Sequence, residues 1–453
     1  MPIAEPSGPL SGEELETLFA SLNGARRIAL AVSGGSDSLA LLDCVDRWRR
    51  AGEARAEVLI LSVDHGLRPS SASEARMVAR VARGRGLEAR ILVAEGPYPQ
   101  ADIEAAARAA RYRLLLAAAR QAGASHLLLA HHRDDQAETL LLRLARGSGV
   151  FGLAAMRPEI QLGDPGSAIS TPLTILRPFL DLAKARLIAT AEAAGFAPVA
   201  DAMNDDPRFA RARIRRVMPV LAGEGIDAKG LAATARRLSG AAEALDQWAS
   251  RVIAAAVTTD PLAVARLDPV ALFEAPGEIR LRVLARLLQA VGGEAYPPRF
   301  ERLSGLLSAM QDRSGLDRFK RTLGGAVVEA RGGRFAVYRE AGRDGLPTIE
   351  IGAGLAIVWD HRFRIEAGRG VPRGLSLGPL GEAGRREIGA KAADAADGAL
   401  AALPAIRRKS AILSVPGLGF QAAGEVAPPV EIHSILARRL AEPSRFPDPA
   451  QPF

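Results

Sequence analysis

The strongest constraint on the fold lies in the first half of the chain, where short, continuously apolar runs alternate with stretches of helical spacing. Residues 27–32, 58–63, 89–93, 126–130 and 173–176 read as strands. Residues 36–50, 73–83, 102–122, 134–146 and 181–194 read as helices, two of them stopped by Gly123 and Gly195. An apolar run without alternation is buried on both faces, and a strand–helix repeat lays helices over both faces of a parallel sheet. The predicted N-terminal fold is therefore α/β, a parallel, doubly wound sheet. Ligands in such sheets bind at the carboxyl ends of the strands. Three polar segments fall there: 33–38 after the first strand, Asp64-His65-Gly66 after the second, and His131-His132 after the fourth.

Beyond a Gly-punctuated stretch at 221–230 the pattern changes. Residues 232–257, 279–291 and 299–310 have the apolar stripe of amphipathic helices with arginine on the polar side. From about residue 322, short strands with Gly-rich turns take over, at 326–331, 334–338 and 356–364, and the Ala-rich run 389–402 reads as a helix. We expect three domains: 1–222, the α/β domain; 223–345, mainly helical; and 346–453, a small strand-rich unit. A chain of 453 residues is too long for one ordinary core.

A hydrophobic content of 48% fits a folded protein. The first ten residues lack the basic start and apolar run of a signal peptide, and no run of about 18 apolar residues offers a membrane span. The single cysteine, Cys44, excludes an internal disulfide and suits a cytoplasmic protein. The net charge of +8 favours a polyanionic partner, because Lys and Arg displace counterions from a phosphate backbone.

The string Ser33-Gly34-Gly35-Ser36-Asp37-Ser38 joins the first strand to the first long helix. Glycines let backbone N–H groups approach phosphate oxygens, the helix end carries partial positive charge, and three hydroxyls add donors. Asp37 would repel a bare phosphate; it makes sense as a ligand of Mg²⁺ bridging to phosphates. The string lacks the Gly-Lys-Ser/Thr ending of the common nucleoside triphosphate loop. Asp135 and Glu138, spaced i, i+3 at the start of a helix, can present both carboxylates to one site and hold or deprotonate an amine. They also read as an acidic first turn favoured by the helix dipole. Adjacent His131 and His132 point opposite ways in an extended segment, so one of them at most meets a nucleotide.

The loop resembles the Ser-Gly-Gly-x-Asp-Ser pyrophosphate loop of the ATP pyrophosphatase (PP-loop) family, whose fold is adenine nucleotide alpha hydrolase-like and whose members cleave ATP between the α and β phosphates. Residues 63–75 and 130–153, with Arg177-Pro178-Phe179-Leu180 and Lys184, are similar to the tRNA(Ile)-lysidine synthetase family within it. Residues 201–219 match that family's Asp-x-Ser-Asn…Arg-Asn-x-Ile-Arg segment, except that Met203 replaces the Ser and Ala212 the Asn. The resemblance implies ATP and Mg²⁺ as cofactors, and CAU-anticodon tRNA(Ile) and free L-lysine as substrates. Catalytic roles then fall to Asp37, Asp135, Glu138, Arg111 and Arg211. Nucleotide contacts fall to Ser33, Gly34, Gly35, Ser36, Asp37, Ser38, Asp64, His65 and His131, the metal to Asp37, and substrate contacts to Arg177, Lys184, Arg208 and Arg215. Arg108, Arg111 and Arg113 also read as a solvated helix face. A homodimer is a further expectation. Sulfur transfer, the rival chemistry on the same loop, generally needs more cysteines than one.

Overall fold

A computed structural model describes residues 7–52, 56–66, 70–94, 103–162, 172–196, 208, 210–294, 296–312, 319–342, 345–389 and 397–442. Leu67, Arg68, Met203, Asn204, Phe209 and half of the Ala-rich run, residues 390–396, lie outside the described residues. The chain forms two compact units that divide between Ala242 and Glu243.

The first unit contains α1 (Gly12–Leu18), β1 (Arg27–Ala31), α2 (Ser36–Ala51), β2 (Glu57–Asp64), α3 (Ser71–Gly84), β3 (Glu88–Val93), α4 (Ile103–Gln121), β4 (His126–Leu128), α5 (Arg133–Ala145), α6 (Val150–Leu153), β5 (Glu159–Leu162), β6 (Leu173–Leu176), α7 (Lys184–Ala193) and α8 (Ala210–Gly223). Its sheet has the order β3-β2-β1-β4-β6-β5. All pairs are parallel except β5 with β6. The expected parallel sheet thus gains an antiparallel edge: β5, Glu-Ile-Gln-Leu, is short and mixed in polarity, as suits an edge strand.

Period-two alternation within the apolar strands builds two cores. Ile28, Leu30, Val58 and Ile60 pack with Leu39, Leu42, Val45 and Leu187 on one face. Ala29, Leu59 and Leu61 pack with Tyr112, Leu115 and Ala119 on the other. The strand order reverses between β1 and β4, so the crevice for a ligand opens at the carboxyl ends of those two strands.

The anticipated linker at 221–230 is mostly helical, because α8 reaches Gly223 and α9 (Ala228–Ala256) begins soon after; the unit division falls within α9. The second unit continues with β7 (Val257–Thr259), β8 (Ala265–Leu267), α10 (Pro269–Glu274), α11 (Gly277–Gly292) and α12 (Phe300–Gln311). It then runs through β9 (Lys320–Leu323), β10 (Ala326–Arg331), β11 (Arg334–Arg339), β12 (Ile349–Ile351), β13 (Ala356–Trp359), β14 (Phe363–Ala367) and β15 (Leu375–Pro379). Last come α13 (Gly381–Glu387), α14 (Asp397–Ala401), β16 (Pro404–Arg408), β17 (Ala411–Val415), β18 (Phe420–Gln421), β19 (Val430–Ser434) and α15 (Leu436–Ala441). The sheets are β7-β8-β11-β10-β9, β12-β15-β16-β17-β18 and β13-β14-β19. Val283 and Leu287 of α11, Phe335 and Val337 of β11, Ile365 of β14 and Ile406 of β16 belong to one contiguous core.

The run 356–364, expected as one strand, is a hairpin. Asp360 and His361 take positive φ (46° and 56°) and turn the chain between β13 and β14. Trp359 and Phe363 close that small sheet from inside, 2% exposed each. Asp360 accepts from Arg339 Nε (3.1 Å) and Arg362 Nε (2.7 Å), and the same arginines donate to the carbonyls of Gly325 and Ala402. Asp246 plays the same part deeper in the unit. It receives Arg282 Nε at 3.0 Å and lies 3.7 Å from Arg286, which also donates to Leu440 O and Glu442 O. No helix among the described residues is long and apolar enough to cross a membrane.

Candidate active site

The loop after β1 is held open by one hydroxyl. Ser38 Oγ, on the first turn of α2, accepts from Ser33 N (3.2 Å) and Gly34 N (3.1 Å) and donates to Gly35 O (2.9 Å). Gly34 sits at φ +97°, where a Cβ would be strained, and Gly35 is the N-cap of α2. Ser33, Ser36 and Asp37 therefore line the positive end of a 16-residue helix. Ser36 Oγ donates to Asp37 Oδ1 at 3.2 Å.

The residue that organises the site is His132. It caps α5 from the end of the β4 segment and is 4% exposed. Its Nε2 lies 3.5 Å from both Asp37 Oδ2 and Asp135 Oδ2, and its Nδ1 lies 3.6 Å from Asp134 Oδ2. Asp135 Oδ2 also accepts the His132 backbone N–H at 3.1 Å. Burial opposes a charged imidazole, but Asp135, Asp134 and Asp37 outweigh it and push His132 up to about 10. In return, burial raises Asp37, yet His132 and the Lys184 ammonium overcome it and hold the carboxyl below its ordinary value. Asp134, facing His132, falls to about 2. Its Oδ2 also caps α7 by accepting from Lys184 N at 3.2 Å.

Of the two adjacent histidines, His132 and not His131 meets this carboxylate cluster. Burial and the positive charges of Arg177, Arg108, Arg211 and Arg111 drive His131 well below its ordinary value, so it is neutral. Adjacent residues in extended backbone diverge; the sequence supplies the divergence and not its direction.

One turn along α5, Glu138 is 3% exposed and paired with Arg215 of α8 (Nε–Oε1 2.6 Å, Nη2–Oε2 3.3 Å). Burial raises Glu138 above its ordinary value against the pull of Arg215, with Asp135 adding to the rise. Arg211, one turn earlier on α8, reaches Thr139 Oγ1 at 3.5 Å. Ala212, where the family pattern has Asn, is buried. Arg208 is exposed. Arg177 is 1% exposed and donates to Arg157 O at 2.8 Å. Arg108 and Arg111 are half-buried and flank the Tyr112 ring at 5.7 Å each, whereas Arg113 is exposed, so only the last belongs to a solvated face.

At the end of β2, Asp64 accepts Gly66 N at 3.1 Å, and Ser71 with that N–H holds its carboxyl below the ordinary value. Ser71 Oγ also accepts His65 N at 3.0 Å, so the start of α3 fixes the second loop. Asp37 and Asp135, both within 3.5 Å of one imidazole nitrogen, are hard oxygen donors of the kind Mg²⁺ takes, completed by phosphates and water. Among the described residues no group of three or more His, Cys, Asp or Glu is arranged to hold a metal unaided. Cys44 is fully buried on α2, and burial pushes its thiol up to about 12, so it is not a nucleophile for sulfur transfer.

Residues 10–221 match the family model described as the PP-loop domain. The fold and the loop therefore define a PP-loop ATP-binding protein. The chain is 44% identical over 342 residues to the tRNA(Ile)-lysidine synthase of a Bradyrhizobium species, covering 71% of this chain and 92% of that protein. It is 42% identical over 348 residues to the tRNA(Ile)-lysidine synthase of Rhodopseudomonas palustris, covering 74% and 97%. The tRNA(Ile)-lysidine synthase of Wolbachia pipientis matches at 28% over 413 residues, covering 90% of this chain and 93% of that protein. The chain belongs to the tRNA(Ile)-lysidine synthase family.

Proposed function

We propose that this chain is the ligase that joins L-lysine to C2 of the wobble cytidine of CAU-anticodon tRNA(Ile), at the expense of ATP. The cytidine O2 attacks the α-phosphorus of ATP and pyrophosphate leaves. The ε-amine of lysine then adds at C2, loses a proton, and AMP departs with the former O2, giving lysidine. The product reads AUA instead of AUG and is charged with Ile instead of Met. The convergence of Asp37 and Asp135 on His132 at the helix end that follows the loop, with Glu138 one turn away, carries this reading.

Ser33, Gly34, Gly35, Ser36 and Ser38 receive the pyrophosphate. Asp37 with Asp135 holds Mg²⁺, which when bound neutralises phosphate charge. Asp64, His65 and the neutral His131 line the nucleotide side. Glu138 and Asp135 take the lysine ammonium, for which Glu138 must exchange Arg215; the freed Arg215, with Arg111, Arg211 and Arg177, is then placed for RNA or adenylate phosphate. Lys184 balances Asp37, and Arg208 contacts the tRNA backbone. Residues 1–222 form the catalytic domain, and 223–345 and 346–453 grip the tRNA body while the anticodon base is splayed into the site. The enzyme works in the cytoplasm as a homodimer.

The test is incubation with ATP, labelled lysine and tRNA transcripts. Label should enter the CAU-anticodon tRNA(Ile) and vanish when the wobble cytidine is replaced. AMP formation on another substrate, with no label in tRNA(Ile), contradicts the reading.

A further inference from the structure

Outside the catalytic unit, one groove combines an uncovered aromatic face with free polar ends. It runs between α9 and the α10–α11 corner, with a volume of about 550 Å³, and Trp248, Arg251, Val252, Glu274 and Pro276 are among its lining residues. Tryptophan is scarce in this chain, three residues in all. Trp48 and Trp359 are buried at 7% and 2% exposure, whereas Trp248 is 47% exposed. The side chains around the indole are small: Ala244 and Ala255 on its own helix, Ala271 and Ala275 opposite, so its face stays open.

The platform beneath is rigid. On the buried side of α9, Asp246 is locked to Arg282, and Ala249 and Ile253 enter the core of the unit. Arg251, one turn from Trp248, and Glu274 across the groove are both exposed, and neither forms a hydrogen bond or ion pair among the described residues. An open indole stacks on a planar base, a guanidinium pairs with phosphate, and a carboxylate accepts from an exocyclic amino group. A subunit interface needs about 800 Å² per partner; here the apolar part is one indole among alanines and a valine.

We propose that this groove binds an unpaired nucleobase of the tRNA, stacked on Trp248, with Arg251 on its phosphate and Glu274 on an exocyclic amino group. The proposal rests on the RNA substrate of the preceding section, so its test omits catalysis. Binding of the full chain to a tRNA(Ile) transcript is measured without ATP or lysine, by affinity and by tryptophan emission. tRNA should quench the wild-type emission. Trp248→Ala should weaken binding about tenfold, and Trp248→Phe, which keeps a stacking ring, about threefold or less. Arg251→Glu should weaken binding at least as much as Trp248→Ala, which covers the case in which the alanine variant fails to fold. Unchanged affinity in Trp248→Ala and Arg251→Glu overturns the groove. So does a change in sedimentation with RNA binding intact, which would mark a self-association face. If tRNA binding depends on Trp248 while no lysine enters tRNA, the groove stands and the ligase reading falls.

Discussion

The buried ionic clusters of the second unit and the candidate site of the first balance their charges in opposite ways. In the second unit, one carboxylate faces two guanidiniums in each cluster, Asp246 with Arg282 and Arg286, Asp360 with Arg339 and Arg362. Backbone carbonyls of Leu440, Glu442, Gly325 and Ala402 take further donors from these arginines. In the candidate site of the first unit, one imidazole is shared by three carboxylates, Asp37, Asp134 and Asp135, and among these acids and Glu138 only Glu138 has a guanidinium of its own. The first arrangement is closed and serves the fold, tying α15 and the β13–β14 turn into place. The second is short of positive charge, and on the proposed function it would be completed by its ligands, a metal ion with phosphates on one side and an ammonium on the other. The imbalance, more than burial, separates a site from a scaffold.

That contrast can be broken at either end. The largest effect belongs to Asp37→Ala. Pyrophosphate release should fall by ~10³-fold or more, while tRNA affinity changes by no more than about twofold; retained release would remove Asp37 from the metal role. Next comes Asp246→Ala, which strands two buried guanidiniums and should cost the second unit about 3–5 kcal/mol. Thermal unfolding would show it, with ATP binding by the first unit retained; an unaltered melting profile would mean that Asp246 is not the keystone. The smallest effect concerns pH. His132 is raised from 6.5 to about 10 in the folded protein, so its stabilising contribution is complete below about pH 6.5 and is lost as pH climbs through about 10. The ligand-free protein should lose thermal stability over that window, and His132→Gln should flatten the slope. An equal slope in both proteins would show that His132 is not the charged partner of the three aspartates.

Much of this was legible in the residues themselves. Uninterrupted apolar strands placed the sheet, and the Ser33–Ser38 string after the first of them placed the loop at the carboxyl edge. The i, i+3 spacing of Asp135 and Glu138 put both carboxylates on one side of α5. What remained hidden depends on contacts distant in sequence. Arg215 meets Glu138 across 77 residues, which no local pattern encodes. The choice of His132 over His131 depends on which side of the extended segment faces Asp37. The edge strand β5 is too short and mixed for a period to show, and the β13–β14 turn has Asp360 and His361 at positive φ where a glycine would have signalled it.

On the proposed function, Asp37 and Glu138 serve two separable steps, phosphate chemistry and amine capture. Glu138→Gln with saturating ATP and tRNA(Ile) tests it most directly, with pyrophosphate release and labelled-lysine incorporation followed in the same reaction. The first turnover of pyrophosphate should be within about threefold of wild type, while lysine incorporation falls about 10–100-fold and is partly restored by raising lysine. Equal loss of both signals would contradict the division of labour, and undiminished incorporation would remove Glu138 from the lysine site.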